Sequence, residues 1–75
     1  MTALEIYRRA EKERIARGWS RADLDRKTWH AVGCWKNMGL RIVSGKSVNL
    51  ATLSDYLEPL ELEIVIRRAP NEGTN

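Results

Sequence analysis

Residues 20–46, SRADLDRKTWHAVGCWKNMGLRIVSGK, decide how this chain folds. Ser20 and Asp23 have the spacing of a capping box, with Asp in place of the usual Glu or Gln, so a helix starts at Arg21. Leu24 and Thr28 lie four apart and share one face of it, which places the helix at about 21–28. Trp19 sits just ahead of the cap, where it can staple the helix entrance. Residues 29–39, WHAVGCWKNMG, admit two readings. The preferred one has a turn near Gly33 and a helix from Trp35 to Val43, although Gly39 would weaken that helix by about 1 kcal/mol. The other makes Leu40-Arg41-Ile42-Val43 a short strand. Ser44-Gly45-Lys46-Ser47 is a turn in either case.

The flanks are easier to read. Residues 3–17, ALEIYRRAEKERIAR, lack Gly and Pro and are rich in strong helix formers. Leu4, Tyr7, Ala10 and Arg14 fall at helical spacing, and Ile6, Ile15 and Ala16 widen the stripe. Thr2 can cap the start, and Gly18 suits the position just past the end, where positive φ is needed. After the turn, Asn49 can cap a helix over 50–58. Leu50, Leu53, Leu57 and Leu60 mark its inner face, with Tyr56 beside them, and Pro59 stops or kinks it. Residues 61–67, ELEIVIR, then alternate, with Leu62, Ile64 and Ile66 on one face and Val65 on the other.

That last segment raises a question of backbone pairing, because a lone strand leaves donors and acceptors unmet. Pairing with the same strand of a second copy across a two-fold axis is the simplest answer. Leu62, Ile64, Val65 and Ile66 would form that dimer interface. Weak pairing with residues 40–43, or packing on the helices as an extended tail, are the alternatives. The expected fold is mainly α: a small four-helix domain over residues 1–68 with a C-terminal β-strand, and a flexible tail over 69–75.

Size and composition narrow the function. Seventy-five residues make one domain with a small core. A single cysteine excludes an intrachain disulfide framework and cysteine-rich zinc sites, the pattern of a reducing, cytoplasmic setting. No apolar run reaches membrane-spanning length, and the N-terminus lacks the apolar stretch of a secretory signal. The net charge of +3 is unevenly placed. Residues 18–49 hold six basic side chains against two acidic ones, a net of +4, while residues 50–75 hold two against five, a net of −3. One part suits a polyanion and the other a protein partner.

Little else carries chemistry. His30 is the only histidine and has no partner identifiable by spacing. Cys34 reads as a small apolar residue, and nothing specifies a stabilised thiolate. Ser44-Gly45-Lys46-Ser47 lacks the upstream glycine of a phosphate loop. No nucleophile, proton-transfer or metal constellation can be assembled, so no enzyme, cofactor, metal or small-molecule substrate is expected. Trp19, Trp29 and Trp35 could stack bases of a single strand or fill the core around a tight turn.

The order of helix, Gly18-Trp19-Ser20, capped helix, turn, second helix, Ser44-Gly45-Lys46 and Leu50-Ala51-Thr52-Leu53 resembles the phage-repressor-type helix-turn-helix domains, the lambda repressor-like or xenobiotic-response-element family. Ser20–Thr28 resembles the first helix of that motif, Arg41–Lys46 the end of the recognition helix, Leu50–Leu57 the next helix, and Leu60–Ile64 the closing strand. This chain departs in having about four extra residues between Thr28 and Trp35, Gly39 where a leucine is usual, and Glu58-Pro59 where a glycine is usual. The resemblance implies a dimeric, sequence-specific binder of double-stranded DNA that regulates transcription, most simply as a repressor. It implies base reading by Lys36, Asn37 and Arg41, and phosphate contacts by Ser20, Arg21, Arg26, Ser44, Lys46 and Ser47. Two rivals are an antitoxin-like or adaptor protein that binds a protein partner through the acidic half, and a single-strand binder that uses Trp29 and Trp35.

Overall fold

The computed structural model describes residues 2–65. It contains four α-helices: α1 (Ala3–Ala16), α2 (Arg21–Lys27), α3 (Cys34–Val43) and α4 (Leu50–Leu57), the last running into a 3₁₀ turn at Glu58–Leu60. Residues 40–43 are therefore helical, and the strand alternative is excluded. The expected caps form. Thr2 and Ser20 each close a capping box with Glu5 and Asp23, and the Asn49 side chain accepts from the Thr52 N–H.

The helix C-termini share one device. Trp19 N–H bonds Arg14 C=O and Gly18 N–H bonds Ile15 C=O. The same nested pair recurs as His30 to Asp25 with Trp29 to Arg26, as Lys46 to Arg41 with Gly45 to Ile42, and as Leu62 to Leu57 with Glu61 to Glu58. Each is a Schellman closure, which requires a left-handed residue at its hinge. Gly18 and Gly45 adopt that conformation at φ of 72° and 78° without a Cβ clash. Trp29 and Glu61 adopt it at 64° and 58° despite their side chains, at a cost of roughly 1–2 kcal/mol each.

The core consists of Ala10 from α1, Leu24 from α2, Trp35, Met38 and Ile42 from α3, Leu53, Tyr56 and Leu57 from α4, and Leu60. Tyr56 is fully buried rather than flanking. Three residues expected on inner faces, Ile15, Ala16 and Leu50, are exposed instead, because their helices rotate Ala10 and Arg14, or Leu53 and Leu57, inward.

The expected C-terminal strand is not seen among the described residues: Glu61 is a left-handed turn residue and 62–65 adopt no regular secondary structure. Leu62 and Ile64 pack against the core, while Glu63 and Val65 face solvent, so the alternation holds. No backbone hydrogen bond joins Glu63, Ile64 or Val65 to any other described residue. Ile66, the end of the expected strand and the 69–75 tail lie outside the described residues. Among the described residues, no helix is long and apolar enough to cross a membrane.

Candidate nucleic-acid interface

Helix α3 is held by Trp35, which has no exposed surface. Two carboxylates on two other helices grip its two N–H groups. Asp25 of α2 accepts from the Trp35 backbone N–H at 2.9 Å. Glu11 of α1 accepts from the indole N–H at 2.8 Å. Between them the indole lies against Tyr7 and Tyr56, each with its ring centroid 4.7 Å away. The helix can neither rotate nor slide without breaking contacts to α1, α2 and α4 together.

Asp25 does more than hold Trp35. Its carboxylate also accepts from the Gly33 N–H at 2.9 Å and from the Tyr56 hydroxyl at 2.6 Å, and it is wholly buried. It thus caps α3 from the neighbouring helix, where Gly33 has no side chain to do so, and fixes α2, α3 and α4 relative to one another. Burial, reinforced by the bond to Asp25, raises the Tyr56 phenol well above its ordinary value, so it stays a donor. The interior position also removes one of the two acidic charges from the surface of the basic stretch.

Glu11 is a second hub. Arg14 donates to it at 2.6 and 3.1 Å and donates to the Trp19 carbonyl at 2.6 Å. Burial pushes the Glu11 carboxyl up, but the hydrogen bonds from Arg14 and Trp35 outweigh it and leave the group below its ordinary value.

With Trp35, Met38, Gly39 and Ile42 turned inward, the outward face of α3 carries Lys36, Asn37, Leu40, Arg41 and Val43. Lys36 and Asn37 directly follow the anchored tryptophan. Among the described residues, neither makes a side-chain hydrogen bond or ion pair. Arg41 is exposed but committed: its Nε and Nη2 donate to the Ser47 carbonyl at 3.2 and 2.9 Å, tying the 44–49 turn to α3. An open groove of about 380 Å³ runs beside this face, between the 31–34 connection and Val48–Thr52.

The residues expected at phosphates fall in two groups, one on the turn after α3 and one on α2 and its cap. Ser44, Lys46 and Ser47 are exposed on the turn that Arg41 braces. Arg26 is exposed, 3.4 Å from Asp23, and Arg21 lies 3.4 Å from Glu11. The Ser20 oxygen is already engaged as the α2 cap, accepting from the Asp23 N–H at 3.0 Å. Lys27 is drawn away, its Nζ 4.4 Å from the Trp19 ring centroid.

The three tryptophans separate. Trp19 is half-buried against the core, Trp35 is inside, and Trp29 is 94% exposed. The stacking platform of Trp29 with Trp35 does not exist, because the second ring is walled in by Tyr7 and Tyr56. His30 stacks on Tyr56 at 4.8 Å, its Nε2 3.7 Å from Asp55, in the connection behind α3.

Asp25 and Glu11 were not singled out by the sequence. Asp25 sits among helix-face residues like any solvated aspartate, and only its contacts eight, ten and thirty-one residues away give it a role. Leu40 was likewise missed as a surface residue, since a leucine in an amphipathic helix reads as core.

The chain matches no protein-family model, no curated protein and no solved structure.

Proposed function

We propose that this protein is a sequence-specific binder of double-stranded DNA and acts as a transcriptional regulator, with α2 and α3 as the two helices of a helix-turn-helix and α3 as its reading helix. The observation that carries the reading is the rigid presentation of Lys36 and Asn37. Both are exposed, on the helix turn that follows an anchored Trp35. Discrimination between bases needs donors and acceptors held in one geometry, which such a helix supplies and a loop does not. Asn37 suits the N6/N7 edge of adenine and Lys36 suits guanine. Ser44, Lys46 and Ser47 lie on the turn that follows α3, where they suit phosphates, and Arg21 and Arg26 of α2 add positive charge.

Two copies would place two reading helices about 34 Å apart on one face of a duplex. The 61–67 segment, alternating in sequence, is the proposed two-fold contact. That the Glu63–Val65 backbone makes no hydrogen bond to another described residue supports that assignment. Occupying a promoter site in this way would block polymerase, which makes a repressor the simplest outcome.

Selection from a pool of random duplexes, with the mass of the bound species measured in solution, tests both parts. Enrichment of a two-fold symmetric site by a dimer is expected, with affinity that falls as salt rises through counterion release. Recovery of unenriched sequences would overturn the function, and a monomer on the enriched site would overturn the dimer.

A further inference from the structure

The outward face of α3 holds two exposed apolar residues, Leu40 and Val43, beside its polar ones. Leu40 is 58% exposed, one helical turn beyond Lys36 and Asn37, on a helix that cannot rotate to bury it. Val43 continues the same stripe. Arg41 beside it has its guanidinium turned back to the Ser47 carbonyl. The C-terminal half of the face is therefore apolar, beyond the cationic and amide groups of Lys36 and Asn37, with the arginine serving to position the adjoining turn.

We propose that Leu40 determines specificity by packing on the C5-methyl group of a thymine in the major groove, and that Arg41 is a positioning residue for the 44–49 turn rather than a base reader. This rests on the duplex-binding function proposed above. The major-groove edge offers hydrogen-bonding groups on every base pair but only one apolar feature, the thymine methyl. A rigid, exposed leucine one helical turn beyond Lys36 and Asn37 suits that feature. The half-site thus contains a thymine whose methyl, not its hydrogen-bonding edge, is read.

The test uses the full chain and a duplex it selects from a random pool, with each thymine replaced in turn by deoxyuridine. That change deletes one methyl and leaves base pairing intact. Wild-type protein should bind about fourfold more weakly at one symmetric position, the effect of losing burial of one methyl-sized group. Leu40→Ala, which alters an exposed side chain and should melt as the wild type does, should bind the uridine and thymine duplexes equally. Lys36→Ala should keep the fourfold difference. Arg41→Ala should weaken selected and scrambled duplexes by a similar factor. Wild-type binding that is indifferent to every substitution would overturn the thymine contact while leaving duplex binding intact. A uridine penalty that persists in Leu40→Ala would assign the methyl to another residue. Loss confined to the selected duplex in Arg41→Ala would return that residue to base reading. Failure to select any duplex would instead remove the function on which the inference rests.

Discussion

Replacing Gly39 with alanine should destabilise the protein, against the ordinary preference of a helix. In an open helix the change would add about 1 kcal/mol of stability. Here the new Cβ would lie 2.5 Å from Cζ of Tyr7 and 3.0 Å from its Cε1. Carbon atoms prefer separations of about 3.5–4.0 Å, so the ring would have to retreat by about 1 Å. It cannot move inward, because it already lies against Trp35 with ring centroids 4.7 Å apart. Overpacking of this kind costs about 1–3 kcal/mol. The clash therefore outweighs the helix gain by up to about 2 kcal/mol, and each kcal/mol lowers Tm by about 4–8 °C in a domain this small. Thermal and urea unfolding followed by circular dichroism give the sign. The control is Tyr7→Leu, whose side chain ends short of the far edge of the ring. In that background Gly39→Ala should raise stability. A rise in Tm in the wild-type background, or the same fall in both, would refute the close approach of α1 to α3.

Other expectations follow from the same contacts. Asp25→Ala would leave the Gly33 and Trp35 N–H groups and the Tyr56 hydroxyl without their acceptor, a loss of roughly 3–5 kcal/mol that leaves little folded protein; a loss under about 1 kcal/mol by urea titration would contradict its role as the cap of α3. Trp29→Gly should raise stability by about 1 kcal/mol, since the ring is exposed and the left-handed backbone favours glycine; a fall in Tm would show that the indole is packed. The lowered Glu11 carboxyl contributes stability that is present above its ordinary value of 4.5 and is lost as pH falls through its lower folded-state value. Glu11→Gln should accordingly flatten the acid limb of the stability profile, and an unchanged slope would remove Glu11 from the network.

Local signals carried the four helices. Capping residues at Thr2, Ser20 and Asn49, and glycines at Gly18 and Gly45, set most of their ends to within a residue or two. The connection at 28–33 was harder because its hinge is Trp29, which offers none of the punctuation that a glycine would. Gly39 misled for a related reason. Its cost within a helix is local, whereas its value is a contact with Tyr7, thirty-two positions away. The candidate site was legible in composition, as the basic residues between 18 and 49, but not in geometry. Whether Lys36 points outward depends on Trp35 being gripped by Glu11 and Asp25. Arg41 looked equivalent to Lys36 until its bonds to the Ser47 carbonyl separated them. Residues 62–65 keep their alternation but form no strand, because the pattern of side chains does not by itself supply a backbone partner.

The most direct measurement is the affinity of wild-type and Asn37→Ala protein for a selected duplex and for a scrambled duplex of equal length at the same salt. If α3 reads bases, Asn37→Ala should lose about 1–3 kcal/mol on the selected duplex and almost nothing on the scrambled one. Equal loss on both, or equal affinity of the wild type for both, would contradict the account.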